Sequence, residues 1–505
     1  MTDITIYLIA LGVYFAAMIA IGFYGYSQTK SGEDYVLGGR SLPAPVAALS
    51  AGASDMSGWM MMGLPGAIYL SGLIEAWMAI GLTLGAYLNW KLVAPRLRAY
   101  TEVAKNAVTV PTFFENRTHD KTHILRIVAG LVILVFFTLY VSSGMVVGGK
   151  FFVSSFGGEY LAGMLLIGGI TILYSLFGGF LGASFTDVVQ GVMMMLALVA
   201  IPIMAFIAVV NAGEASDIVN NITPEQASFF GGEISGPTIL AIVSAFVWGL
   251  GYFGQPHIIV RFMALRSAHE AKVARRIGIG WMALSLLGAV ISGFIGITYL
   301  QTQGIVLDDV SAETVVLEMA KLLFHPFIAG LVLSAVVAAI MSTISSQLIV
   351  SSSALVDDIA KIFFKKQLSA KAGLWLGRAG VLLVSVIAVL LALDDESSIL
   401  GLVSFAWAGF GAAFGPIVLL SLFWRKLTSW GAIAAMVVGS VTVFTWPLLE
   451  TGLYEILPGF VFALVVAIVV SLATYKPGTK DDDEIQKEFT DTGAIAIQGA
   501  PSKDA

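Results

Sequence analysis

Ala51-Gly52-Ala53-Ser54-Asp55-Met56-Ser57-Gly58-Trp59 lies inside an apolar run covering residues 42–71. A helix that crosses a bilayer needs about 20 predominantly apolar residues, and this one carries an aspartate near its middle. A carboxylate at that depth costs at least about 2.5–3.5 kcal/mol on insertion scales, so Asp55 requires a cation, a proton or hydrogen-bond donors. A purely structural Asp55, bonded to nearby amides and hydroxyls, is the plainer alternative. Gly52 and Gly58 weaken the helix on either side of it. If the helix unwinds here, the released carbonyls and amides cannot face lipid and must line a cavity or bind something. Carbonyl oxygens suit a hard cation such as sodium. Amides at the start of the continuing half-helix suit an anionic group such as an amino-acid carboxylate.

A second interrupted run follows at Trp248-Gly249-Leu250-Gly251-Tyr252-Phe253-Gly254-Gln255-Pro256. One Gly/Pro-rich membrane segment means little, but two at matching places in two halves of a chain point to a transporter built from inverted repeats, with its site where the helices break. The expected fold is all-α and polytopic, with about 13 transmembrane helices in a membrane domain over 1–475. Five helices belong to each repeat, one at about 42–211 and the other at about 237–424. The tail, 476–505, is expected to be disordered or to form a short surface helix.

Composition agrees. The chain is 58% hydrophobic and 12% charged, against about 25% charged in a soluble domain. It has no cysteine, which excludes disulfides, thiolate metal sites and cysteine nucleophiles. A net charge of −6 gives no reason to expect nucleic acid. Of its 27 Lys and Arg, all but Lys150 and Lys321 fall in alternate connections. By the positive-inside rule these connections are cytoplasmic, which puts the N-terminus outside and the C-terminus in the cytoplasm. Asp3, with no Lys or Arg before the first apolar run, argues against a cleaved leader.

Further candidates follow from spacing. Ala339, Ser342 and Thr343 stand at i, i+3 and i+4 and share one helix face, so a carbonyl and two hydroxyls converge there. Two carbonyls from the break near Asp55 would complete a five-oxygen sodium site, although Ser and Thr also serve as ordinary interhelical glue. Trp248, Tyr252 and Pro256 repeat at i, i+4 and i+8, as a pocket wall or as simple packing. Asp187 stands at an expected helix start, where a cap explains it. Asp55 is nearly alone as an intramembrane acid, and that favours sodium over a proton relay. The scattered histidines make an enzyme or an organic cofactor unexpected, a channel would need an open polar pore, and a sensor would need a signalling domain after the last span.

Several longer stretches resemble the sodium:solute symporter family: Leu37-Gly38-Gly39-Arg40-Ser41, Ala48 to Trp59, Gly249 to His257, Arg261-Phe262-Met263, Met341-Ser342-Thr343 and Trp407 to Pro416. The Asp55 segment is most similar to the proline-transporting branch. The resemblance implies a leucine-transporter-like fold and import of L-proline with sodium across the bacterial cytoplasmic membrane. It implies that sodium is bound by the carbonyls of Ala53, Met56 and Ala339 and the hydroxyls of Ser342 and Thr343, with Asp55 required. Ser57, Gly58, Tyr140, Trp248, Tyr252 and Pro256 would shape the substrate site. Arg40, and with it Asp187, would serve coupling on the cytoplasmic side.

Overall fold

The computed structural model describes residues 2–28, 36–213, 220–363 and 370–498. The described residues are mostly helical, with one isolated bridge between Leu42 and Leu265 and no strand. After α1 (Asp3–Gln28), the first interrupted run forms α2 (Ala44–Asp55), a π-helical turn at Trp59–Gly63 and α3 (Leu64–Ser71). Next come α4 (Ala76–Leu88), α5 (Ala94–Val103), α6 (Val110–Arg117), α7 (Ile124–Phe156) and α8 (Tyr160–Asn211). The second interrupted run forms α9 (Gly236–Phe246), a 3-10 stretch at Val247–Phe253 and α10 (Pro256–Met263). The chain continues through α11 (Ala271–Thr302), α12 (Val315–Leu323), α13 (Pro326–Ser353), α14 (Ala370–Leu391), α15 (Ile399–Phe423), α16 (Ser429–Thr445), α17 (Ile456–Thr474) and α18 (Lys480–Gln498).

Among the described residues, nine helices are long and apolar enough to cross a membrane. Length and composition therefore do not return the thirteen expected. Tyr160–Leu176 and Trp375–Leu391 are apolar but shorter. The runs at 44–71 and 76–103 are cut into pieces by the break at Met56 and by π-turns at Trp59–Gly63 and Asn89–Val93. Burial separates core from periphery: α13 is buried nearly all round, whereas α1, α16 and α17 present Leu8, Phe23, Val441, Val465 and Leu472 outward. Exposed apolar side chains in such number suit hydrocarbon rather than water.

Each break has a local cause. Gln255 is extended (φ −77°, ψ 108°), as the residue before a proline prefers to be, and Pro256 opens α10 where its missing N–H is harmless. At the first break Met56 has φ −81° and ψ 76°, and Ser57 N–H donates to the Asp55 carbonyl at 2.9 Å. Met56 is thus the centre of an inverse γ-turn. The second break is supported by one face of α4. A Cβ on Gly81 or Gly85 would run into the carbonyl oxygens of Phe246 and Gly249, so the two backbones meet directly. One turn further on, buried Asn89 donates from Nδ2 to the Tyr252 carbonyl at 2.9 Å.

The tail takes the form of a helix. α18 packs on α5, with Lys121 Nζ on Asp481 Oδ2 at 2.8 Å, Tyr475 Oη on Asp482 Oδ1 at 2.7 Å and Arg425 on Gln486. Of the two readings of 476–505, the described part takes the surface helix, over Lys480–Gln498, and 499–505 lie outside the described residues. The hydrogen bond from Lys121 holds the Asp481 carboxyl below its ordinary 3.8. A lowered carboxyl pKa stabilises the docked form above the ordinary value and loses that contribution as pH falls through the lowered one. Distances between spin labels on α5 and α18 should therefore be unchanged near neutrality and broaden only below 3.8.

Candidate functional site

The broken turn frees particular oxygens. In a continuous helix Ser57 N–H would bond the Ala53 carbonyl, and Met60 N–H the Met56 carbonyl. Here Ser57 N–H goes to Asp55, and Met60 N–H goes to the Ser57 carbonyl at 3.1 Å. The Ala53 and Met56 carbonyls are left without their helical donors. The Asp55 carbonyl instead collects three donors: Ser57 N–H, Trp59 Nε1 at 3.2 Å and Tyr140 Oη at 3.3 Å.

Facing this turn is α13. Ser342 Oγ lies 2.7 Å from the Ala53 carbonyl and 3.2 Å from that of Ala339, which ties the two helices at the point the spacing singled out. Thr343 Oγ1, one residue on, is buried and has no hydrogen-bond partner. A buried hydroxyl without a partner is uncommon, and this one follows directly on the residue that bonds the Ala53 carbonyl. Thr343→Val keeps the shape and removes only that oxygen. If the hydroxyl binds sodium, as the family resemblance implies, the change is expected to raise the sodium concentration for half-maximal uptake by roughly 10-fold or more, about 1.4 kcal/mol. The melting temperature in sodium-free buffer should hold, because no protein group bonds the hydroxyl.

Asp55 is 2% exposed. One carboxylate oxygen accepts from Tyr252 Oη at 2.5 Å, and the other, Oδ1, is buried without a partner. Beside it a cavity of about 20 Å³ is lined by Gly52, Asp55, Met56, Asn89, Tyr252 and Met282, room for one water or one bare ion. The structure corrects the expectation that Asp55 is nearly alone as a buried acid. Asp187 and Asp358 are also fully buried. Each of those two faces a guanidinium, Arg261 at 3.3 Å and Arg126 at 3.0 Å. Among the described residues Asp55 has no such basic partner.

Aromatic rings close the other side. Trp248 and Tyr252 lie in a 3-10 stretch, so the i, i+4 repeat does not put them on one face as expected; residues four apart are about 120° apart at three residues per turn. They straddle Trp407 instead. The Trp248 ring is stacked 6.4 Å from it, and Tyr252 meets it edge-on at 5.1 Å. Trp407 Nε1 donates to the Trp248 carbonyl at 2.8 Å. Trp59 approaches Trp248 at 6.3 Å. A side chain on Gly58 would strike Val147 of α7, so α7 presses directly on the turn and brings Tyr140 to it. Pro256 is not part of this cluster. It lines a separate cavity with Thr109, Val110, Ile133 and Asp358.

Asp187 does not cap a helix. α8 is two helical segments broken at Gly179 (φ 60°, ψ 178°), and Asp187 lies two turns into the second segment, fully buried. Its Oδ2 accepts from Ser50 Oγ at 2.6 Å and Arg261 Nη2 at 3.3 Å. Arg261 also donates to the His257 carbonyl and to Ser346 Oγ at 2.6 Å. Arg40 is elsewhere, at φ 53°, donating to Asn106 Oδ1, Thr101 Oγ1 and the Met263 and Ala107 carbonyls at 2.8–3.0 Å. It pins the loop after α5 to the end of α10. Spacing missed Ser50, Asn89 and Arg261. Asn89 alone left a signal, as a lone amide in an apolar run.

Comparison with known proteins bears on this arrangement. Residues 35–439 match the model of the sodium:solute symporter family. The chain is 51% identical to the high-affinity proline transporter PutP of Bacillus subtilis, covering 94% of this chain and 99% of that one. It is 48% identical to the sodium/proline symporter of Escherichia coli, covering 98% of each. Among solved structures, a Na+-coupled sialic acid symporter superposes with a TM-score of 0.79 at 19% identity, over 93% of this chain and 98% of that one. MhsT in complex with L-phenylalanine superposes with a TM-score of 0.53 at 16% identity, over 85% and 98%. These likenesses show the leucine-transporter-like fold. With a match across most of its length and relatives near half identical, the chain belongs to the sodium:solute symporter family.

Proposed function

We propose that this chain imports L-proline together with sodium by alternating access, in the bacterial cytoplasmic membrane, with its N-terminus outside and its C-terminus in the cytoplasm. The family membership and the two proline-transporting relatives support the substrate. The observation that carries the mechanism is the broken turn that releases the Ala53 and Met56 carbonyls, with Ser342 of α13 bonded to the first of them and the unpartnered Thr343 hydroxyl beside Ser342 in the chain. Together with the Ala339 carbonyl they supply five oxygens to sodium. Asp55 stands next to that site and supplies charge without a competing basic side chain. The two repeats are assigned to about 42–211 and 237–424, each opening on a broken segment.

In this reading sodium joins α2 to α13 and fixes the turn at Ser57 and Gly58, where the proline carboxylate is received. The ring then lies among Tyr140, Trp248 and Tyr252. The cavity beside Asp55 holds about 20 Å³, far below the roughly 300 Å³ of an ordinary ligand pocket. Trp248 or Tyr252 must therefore move for substrate to enter, which makes these rings part of the closure. Inward sodium movement gains about 2.3 kcal/mol per charge per 100 mV. Arg40 and the Asp187–Arg261 pair, which bind α10 to its surroundings, serve the cytoplasmic side of that motion. Uptake of radiolabelled proline into proteoliposomes should require an inward sodium gradient, and unlabelled L-proline should compete. Uptake driven equally well by a proton gradient without sodium refutes the coupling.

A further inference from the structure

α18 lays three acids along one face, Asp481, Glu484 and Glu488 at i, i+3 and i+7, toward the loop that joins α6 to α7. The residue opposite them is His119, held at φ 48° with its side chain only 6% exposed. His119 Nδ1 is 3.9 Å from Asp481 Oδ1 and 3.7 Å from Glu484 Oε2, and Nε2 is 3.4 Å from Glu488 Oε1. These separations exceed the usual range for an N–H···O bond, about 2.7–3.2 Å. His119 Nε2 and Glu488 Oε2 are buried with no hydrogen-bond partner.

Exposed acids alone would carry no argument, but here a buried imidazole stands among them, its unpartnered Nε2 toward Glu488 and its Nδ1 toward Asp481 and Glu484. Two donors each about 2.1 Å from a tetrahedral ion stand about 3.4 Å apart, so the Nδ1 pairs need to close by only a few tenths of an ångström. Lys121 bonds Asp481 chiefly through Oδ2, at 2.8 Å against 3.3 Å to Oδ1, and leaves Oδ1 facing the imidazole. A histidine nitrogen with two carboxylates suits a zinc-like ion, whereas magnesium and calcium prefer all-oxygen shells. A metal-bound histidine almost always gives its other N–H to a carboxylate or carbonyl, and Glu488 is placed to take it.

We propose that His119 Nδ1, Asp481 and Glu484 bind a divalent transition-metal ion of the zinc class, with Glu488 orienting the imidazole. The ion would staple the C-terminal helix to the loop leading into α7, the helix that carries Tyr140 to the turn at Asp55.

The test is titration of untagged full-length protein in detergent with zinc chloride alone, against a chromogenic chelator. The expected result is one zinc per chain with a dissociation constant on the order of 1 μM. His119→Ala and Glu484→Gln should each weaken binding at least about 10-fold, and Asp483→Asn, an exposed acid outside the cluster, should leave it unchanged. Absence of stoichiometric binding, or binding indifferent to His119→Ala, overturns the site. A second readout uses spin labels in Lys105→Cys/Thr490→Cys, which is clean because the chain has no cysteine of its own. Zinc should narrow the distance distribution between the loop after α5 and α18, and a distribution unchanged at saturating zinc overturns the staple.

Discussion

Asp55→Asn is expected to reduce sodium-dependent proline uptake at limiting sodium by roughly 100-fold or more, about 2.7 kcal/mol of lost cation stabilisation. The size follows from the surroundings of the carboxylate. Asp55 is 2% exposed, bonded on one oxygen by Tyr252 and unpartnered on the other. The other fully buried acids described above are neutralised by Arg261 and Arg126. In the proposed mechanism Asp55 gains its compensation from the transported cation, and an amide supplies no charge to offset it. Asparagine still offers Tyr252 an acceptor, so the turn itself should survive. A ligand that binds only the folded protein raises its apparent stability. Sodium should accordingly raise the melting temperature of the parent protein and leave that of Asp55→Asn unmoved. A variant that keeps both the sodium-dependent uptake and the sodium-dependent thermal shift would assign Asp55 a structural part only.

Asp187→Ala should be costly in a different way, destabilising the protein by about 3–5 kcal/mol, the penalty for leaving a buried ion without its partner. Arg261 is 1% exposed and keeps donors on Ser50, Ser346 and the His257 carbonyl, but none of these carries charge. Because the penalty belongs to the unpaired guanidinium, Asp187→Asn combined with Arg261→Gln should recover most of the loss, as replacing both members of a buried pair commonly does. Chemical denaturation of the purified proteins measures both values. Recovery of stability without recovery of uptake would separate the pair's part in coupling from its part in folding.

The two breaks were legible because they are written locally. Gln255-Pro256 cannot continue a helix, and Gly52, Ser57 and Gly58 leave little to hold one together around Met56. The α13 face was legible for the same reason: Ala339, Ser342 and Thr343 lie on one helix, and their spacing alone aligns them. What spacing could not supply was partnership across the fold. Asp187 meets Arg261 from 74 positions away, two turns past the break at Gly179, so the glycines before it suggested a cap at a residue that lies inside the following segment. Trp248 and Tyr252 were placed on one face by counting an α-helix, whereas the 3-10 winding that opens the break turns them apart around Trp407. Pro256 followed the same count and lies in a different cavity. The tail's helix depends on Lys121, Arg425 and Arg96, contacts that no feature of the tail's own composition announces.

At the centre is the claim that sodium, held between the turn at Met56 and α13, prepares the amides that take the substrate. Linkage requires that two ligands strengthen each other by one common factor. Equilibrium binding of labelled L-proline to the purified protein, in sodium and in an equal concentration of choline, measures that factor without a gradient or a membrane potential. Proline should bind at least about 10-fold tighter in sodium, with the difference abolished in Thr343→Val and Asp55→Asn. Equal affinity in the two salts would contradict it.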